Sequence, residues 1–168
     1  MATTKYWKAN EYPCRVFNTT GTWTFGVTSS NVTTFDHTDA DDTSVLTIPI
    51  PRLNELGKQN APKSLAVTYT VVTAALEAAP VATLNKYSYA TSTGVSTRSA
   101  VTQATLAFSG ADAVGTAAGA TAAGTHIVTI APATVEALDE TEQYIAELTF
   151  NAATTTVLKV TDIAVTYE

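Results

Sequence analysis

The sequence predicts an all-β fold: a jelly-roll-like antiparallel β-sandwich of about eight strands behind an extended N-terminal arm. Three observations carry that prediction. The last stretch holds two long alternating runs, 144–150 (YIAELTF) and 157–167 (VLKVTDIAVTY). Successive side chains of a strand point to opposite faces, so such runs ask for a sheet with one dry face. Similar but shorter runs recur along the chain between turn-forming clusters, with no strand–helix–strand alternation. Finally, Thr and Ala make up over a third of the 168 residues while charged residues are only 14%. Threonine suits a pleated surface because its branched Cβ fits there and its hydroxyl still reaches water.

Taken in order, residues 1–13 are polar and aromatic, with Tyr6, Trp7 and Tyr12 but little periodicity. They are expected to form an arm lying on the chain's own sandwich or on a neighbour, or else a first edge strand, because aromatics on an irregular segment need a surface to bury against. Residues 14–168 are expected to form a single domain. Short strands follow at Arg15–Phe17 and Thr22–Thr28, then an acidic loop from Asp36 to Asp42. Ser44–Ile50 reads as an edge strand because Pro49 and Pro51 cannot donate to a ladder. Arg52–Pro62 reads as one helical turn. Lys63–Thr73 is the strongest central strand, with Leu65, Val67, Tyr69 and Val71 on one face. A turn at Glu77–Pro80 leads into Val81–Ala90, where Leu84 faces one way and Tyr87 and Tyr89 the other. Ser99–Phe108 is a strand with Leu106 and Phe108 on one face. Ser109–Gly124, rich in Ala, Gly and Thr, lacks an apolar face and is expected to be a mobile loop or one ordered by a neighbour. His126–Ile130 resumes the strand pattern, and Ala133–Gln143 reads as an acidic segment with one helical turn.

Composition narrows the function classes. A net charge of −6 leaves no basic patch for phosphate, so nucleic acid is not an expected partner. No apolar run approaches the roughly 20 residues a helix needs to cross a bilayer, and no membrane partner is expected. The first residues lack the apolar stretch of a signal peptide, so synthesis in a cytoplasm without standard export is expected. The single cysteine, Cys14, excludes an internal disulfide and reads as a small buried thiol. A Thr-rich, charge-poor surface suits a protein that packs against copies of itself or sits in a large assembly.

Candidate chemistry is thin. Asp36, Asp39, Asp41 and Asp42 cluster as calcium ligands do, but without the central glycine and closing glutamate of an EF-hand. The plainer reading is a solvated acidic loop, and no metal or cofactor is expected. His37, His126 and Cys14 lack the close ligand spacing of a zinc site. No nucleophile elbow or phosphate-binding loop is present, so no catalytic residue is assigned and an enzyme is not expected. The aromatics are of more interest. Tyr6, Trp7, Tyr12, Tyr87 and Tyr89 are candidates for a subunit interface, where tyrosine is enriched. Trp7, Trp23, Tyr87 and Tyr89 could alternatively form a sugar-stacking platform.

Residues 62–76, 81–89 and the terminal pair ending in 157–167 resemble jelly-roll proteins of tailed-phage particles. The resemblance lies in the passage from an acidic turn through Tyr144, Glu147 and Leu148 into the Leu158-Lys159-Val160 strand. It covers about the last two-thirds of the chain and is one of pattern and texture. It implies a non-enzymatic virion subunit, a capsid decoration, cement or minor capsid protein. Such a subunit would self-associate, as a homotrimer, and dock on the major capsid protein or other virion proteins. It would be made in the host cytoplasm and reside in the virion. The alternative is a carbohydrate- or receptor-binding module of a phage tail fibre.

Overall fold

The computed structural model describes residues 2–8, 12, 17–20, 23–27, 33–37, 43–52, 61–73, 75–110, 119–152 and 157–168. These hold twelve strands: β1 (Thr3–Lys8), β2 (Phe17–Thr20), β3 (Trp23–Val27), β4 (Thr33–His37), β5 (Thr43–Pro49), β6 (Pro62–Thr73), β7 (Leu76–Ala90), β8 (Val95–Ala100), β9 (Ala107–Gly110), β10 (Gly124–Ile130), β11 (Glu142–Ala152) and β12 (Val157–Tyr167). A seven-stranded sheet runs β3-β4-β12-β6-β10-β9, with β1 also paired to β12, and a five-stranded sheet runs β2-β5-β11-β7-β8. Every strand pairing is antiparallel. Setting aside β1, β2, β3 and β9 leaves two four-stranded layers, β4-β12-β6-β10 and β5-β11-β7-β8. Within these eight, each strand passes to the other layer except at the β7–β8 hairpin. That is the doubly wound Greek-key order of a jelly roll, so the expected sandwich is the observed one.

The dry layer between the sheets is written in the alternation. Leu65, Val67, Tyr69 and Val71 of β6 are all but fully buried. They face Tyr144, Ala146, Leu148 and Phe150 of β11, also buried, and the Tyr69 and Phe150 rings meet edge to face at 5.2 Å. Each such side chain contributes roughly 1.5–3 kcal/mol by leaving water. In β12 the buried set is Leu158, Val160, Ile163 and Val165, and the step from 160 to 163 breaks strict alternation. A bulge between Val160 and Asp162 absorbs the extra residue and returns the later side chains to the core. The same bulge marks a change of partner on the far edge of β12. Leu158–Val160 pair with β4, and Asp162–Tyr167 pair with β1.

Several expectations need correction. Of the alternatives for the N-terminal segment, residues 3–8 take that of an edge strand, added to the chain's own sheet with Thr3 opposite Tyr167. Ser44–Ile50 is not an edge, since β2 flanks β5. Pro49 is tolerated because it is the last residue of β5, beyond the reach of β2. The Glu77–Pro80 turn is instead part of β7, and Pro80 falls where the β7–β11 register shifts, so no ladder hydrogen bond is asked of it. Ala133–Gln143 forms no helix: Leu138 is drawn into the core and Glu136 toward Lys86. The far end of the Ala/Gly/Thr segment is ordered by the chain's own core. Buried Tyr69 donates its hydroxyl to the Ala120 carbonyl (2.7 Å), and His126 Nε2 lies 2.8 Å from the Ala122 carbonyl. The helical turn expected at Arg52–Pro62 falls largely on residues 53–60, outside the described residues, as does Cys14.

Candidate functional site

The aromatic candidates separate into two groups. Trp7 and Tyr12 are spent internally. Their rings meet edge to face at 5.4 Å, Tyr12 is buried, and its hydroxyl donates to the Pro49 carbonyl at 2.8 Å. Tyr167 makes the matching bond to the Pro51 carbonyl (2.6 Å), so two tyrosines hold the Pro49–Pro51 passage from either side. Tyr12 presents no open face to a partner, whereas Trp7 is half-buried. Tyr6 presents an open face, at 78% exposed, on the outer side of β1. Tyr87 and Tyr89 share the outer face of β7, and Tyr89 is about half exposed.

Of the four acidic calcium candidates, only Asp36 belongs to the described residues. Asp36 lies within β4, its backbone opposite Lys159, and does not open a loop. Asp39, Asp41 and Asp42 lie outside the described residues. Among the described residues, no three His, Cys, Asp or Glu side chains gather where a cation could sit. His126 is a core histidine, with its ring 5.4 Å from that of Tyr69. Its contact with the Ala122 carbonyl is not the Ser or Asp contact that hydrolysis would require.

Polar chemistry gathers instead on the outer face of the five-stranded sheet. In β11 the inward residues are apolar, so the alternation turns Glu147 outward. Thr83 of β7 sits directly across from it. Glu147 Oε2 accepts from Arg98 Nη2 (2.8 Å) and from Thr83 Oγ1 (3.1 Å). The Arg98 guanidinium also stands 6.0 Å from the centre of the Tyr87 ring, its cross-strand partner. Beside this group opens a cleft of about 270 Å³ lined by Thr83, Asn85, Arg98, Gln103 and Glu147 together with the apolar Leu84, Ala100 and Val101. A larger depression of about 590 Å³ lies at the end of the same sheet, where Tyr89 meets Arg52, Glu140 and Glu142.

Strand β8 borders the cleft and is the least covered strand with a described burial pattern, exposed at all six residues. Among the described residues, its only strand partner is β7. The Val101 amide donates to the Leu84 carbonyl (2.9 Å), and the Tyr89 amide donates to the Thr141 carbonyl on the other side of β7 (2.9 Å). Antiparallel pairs alternate between bonded and non-bonded residues. The register therefore turns the backbone groups of Val95, Thr97 and Ser99 toward β7, and those of Ser96, Arg98 and Ala100 away from it. The four-residue turn before β8 closes with the Gly94 amide bonded to the Ala90 carbonyl (2.8 Å). Gly94 takes φ = 67° there, which a side chain would resist.

Behind the sheet, at the same end, Lys86 Nζ donates to Glu136 Oε1 (3.0 Å), which also accepts from the Tyr144 hydroxyl (2.8 Å). The Lys86 bond, and then the Tyr144 bond, hold the Glu136 carboxyl below its ordinary range. Burial, more than the Glu136 bond, pushes the Tyr144 phenol up.

No family model matches the chain, and no curated protein matches it. Among solved structures, it is similar to a family two carbohydrate esterase from Cellvibrio japonicus at 7% identity and a TM-score of 0.48. It is also similar to an arabinose-bound α-L-arabinofuranosidase at 10% identity and a TM-score of 0.43. The matches cover 100% and 94% of this chain but only 35% and 24% of those longer chains. At these values the likeness says nothing of what this chain does.

Sequence reasoning found Tyr87 and Tyr89 but missed Thr83, Asn85, Arg98, Gln103 and Glu147. The available signal was a set of polar residues on the outward positions of β7 and β11. Nothing in the spacing of Asn85 and Gln103 marks them as neighbours.

Proposed function

We propose that the chain is a non-enzymatic structural subunit of a tailed-phage virion, a capsid decoration, cement or minor capsid protein. It acts by associating with itself, as a homotrimer, and by docking on the major capsid protein or other virion proteins. The observation that supports this reading is the open edge of β8: outward backbone groups at Ser96, Arg98 and Ala100, exposed side chains on both faces, and no proline in the strand. Monomeric proteins blunt such edges, and assemblies use them. A threefold ring is heterologous, so β8 of one copy meets a different surface of the next. Repetition over a lattice then turns modest contacts into avidity.

The test is solution mass by light scattering for the wild type and for Ser96→Pro, with co-sedimentation on capsids. Ser96 turns its amide away from β7, so proline there removes one outward donor without touching the β7 ladder. A wild-type trimer that Ser96→Pro reduces to monomer supports the reading. A wild type that stays monomeric and ignores capsids sinks it.

A second reading, a carbohydrate-binding module, is favoured by one specific observation: a cleft with both polar and apolar lining residues on the outer sheet face that carries Tyr87.

A further inference from the structure

We propose that the cleft bounded by Thr83, Asn85, Arg98, Gln103 and Glu147 binds a single neutral sugar ring. This rests on the second reading above and is independent of self-association.

The cleft wall holds two unspent polar atoms. Asn85 is 5% exposed, and its Nδ2 has no hydrogen-bond partner. Gln103 donates Nε2 to the Ala82 carbonyl at 2.6 Å, which fixes the amide and leaves Oε1 buried without a partner. Buried polar groups are nearly always paired, so two orphans in one cleft mark a place where something else supplies the bonds. One orphan is a donor and the other an acceptor. A hydroxyl both donates and accepts, so it serves either group, and it meets the Asn85 amide in either of its two orientations. Adjacent hydroxyls on one ring serve both at once.

Charge and shape narrow the ligand further. The two charged groups of the cleft, Arg98 and Glu147, are paired to each other at 2.8 Å, so the lining asks for no ionic partner. Tyr87, cross-strand from the cleft residue Arg98, offers a flat apolar ring on the same outer face for the C–H face of a sugar. At about 270 Å³ the cleft lies at the lower end of ligand sites and suits one ring, not a chain. Both orphan atoms are shielded from solvent, so the ring reaches them through a shift of the side chains at the cleft wall on binding.

The experiment is saturation-transfer NMR with a panel of neutral methyl glycosides, while the side-chain amide signals of Asn85 and Gln103 are followed. Saturable binding that shifts both amides is expected. It should weaken about tenfold or more in Asn85→Leu and in Tyr87→Ala. Asn85→Leu should keep or raise the melting temperature, because it removes a buried group that has no partner. If Asn85→Leu instead lowers the melting temperature and no glycoside moves the amides, the two side chains serve the fold, and the proposal falls. Glycoside binding that survives both substitutions overturns the cleft while leaving a carbohydrate-binding module standing. No glycoside binding at all removes both.

Discussion

Strands β6 and β8 are built from similar residues, Val, Thr, Ser and Ala, yet they stand in opposite relations to water. β6 is hydrogen-bonded on both sides, by β12 and β10, and buries one face against the other sheet. Among the described residues, β8 is bonded on one side only, and it buries neither face. The difference teaches where folding has used up the chain's bonding capacity and where it has not. From Leu65 to Val71, β6 is paired on both sides and every second side chain is buried. In β8, and in the amides of Asn85 and Gln103 beside it, capacity is left over. Strand propensity reports how well a residue fits a pleat, not how many neighbours the pleat will have.

Substitutions can break or sharpen this contrast. The largest effect belongs to the committed side. Tyr69→Ala empties a fully buried site and deletes the bond to the Ala120 carbonyl, and should cost about 3–5 kcal/mol in denaturant unfolding. A loss under about 1 kcal/mol would mean that β6 is less central than its burial implies. Next comes a pair of prolines in β8. Thr97→Pro removes a bond to β7 and should cost about 1 kcal/mol or more, whereas Ser96→Pro should leave monomer stability nearly unchanged. Equal costs would show that the register assigned to the outer edge is wrong.

A smaller effect is expected from acid. Glu136 is held below its ordinary range by Lys86 first and Tyr144 second. Its stabilisation is therefore present above the ordinary carboxylate range and lost as pH falls through the lowered value. Lys86 is raised, chiefly by the bond to Glu136, so its share is present below 10.5 and lost as pH climbs through the raised value. Urea midpoints measured against pH should show a plateau between these limits, and Glu136→Gln should flatten the acid limb. An acid limb unchanged in that variant would remove the pair from the account. The smallest effect is expected of Arg98→Ala. The Arg98–Glu147 pair is partly exposed, so the change should cost about 0–1 kcal/mol and leave the sandwich intact.

Much of this fold was legible in the residues. The alternation of Leu65, Val67, Tyr69 and Val71 named both a strand and its dry face, because burial acts directly on that period. What escaped reading was set by partners. The bulge in β12 hides in an unremarkable Thr161-Asp162, and which edge the N-terminal strand joins is decided by β12. Proline at 80 looks like a turn until the register shift that accommodates it is seen. The cleft was the least legible feature. Asn85 and Gln103 meet because the Val101 amide keeps the chain beside β7 after β8 ends, and a bridge from Gln103 to Pro132 then holds it. Tertiary return of that kind leaves no periodicity to find.

The three partners of β12 also set an order of events. β1, β4 and β6 all come from the first half of the chain, yet each waits for β12 before its place in the sheet is complete. The pairing of Thr3 with Tyr167 closes nearly the whole sequence into one loop. A topology so dominated by distant pairings belongs to the slow folders, on the scale of roughly milliseconds to seconds. Until β12 arrives, three strands carry open edges, and that interval is when the chain is most exposed to pairing with the wrong molecule.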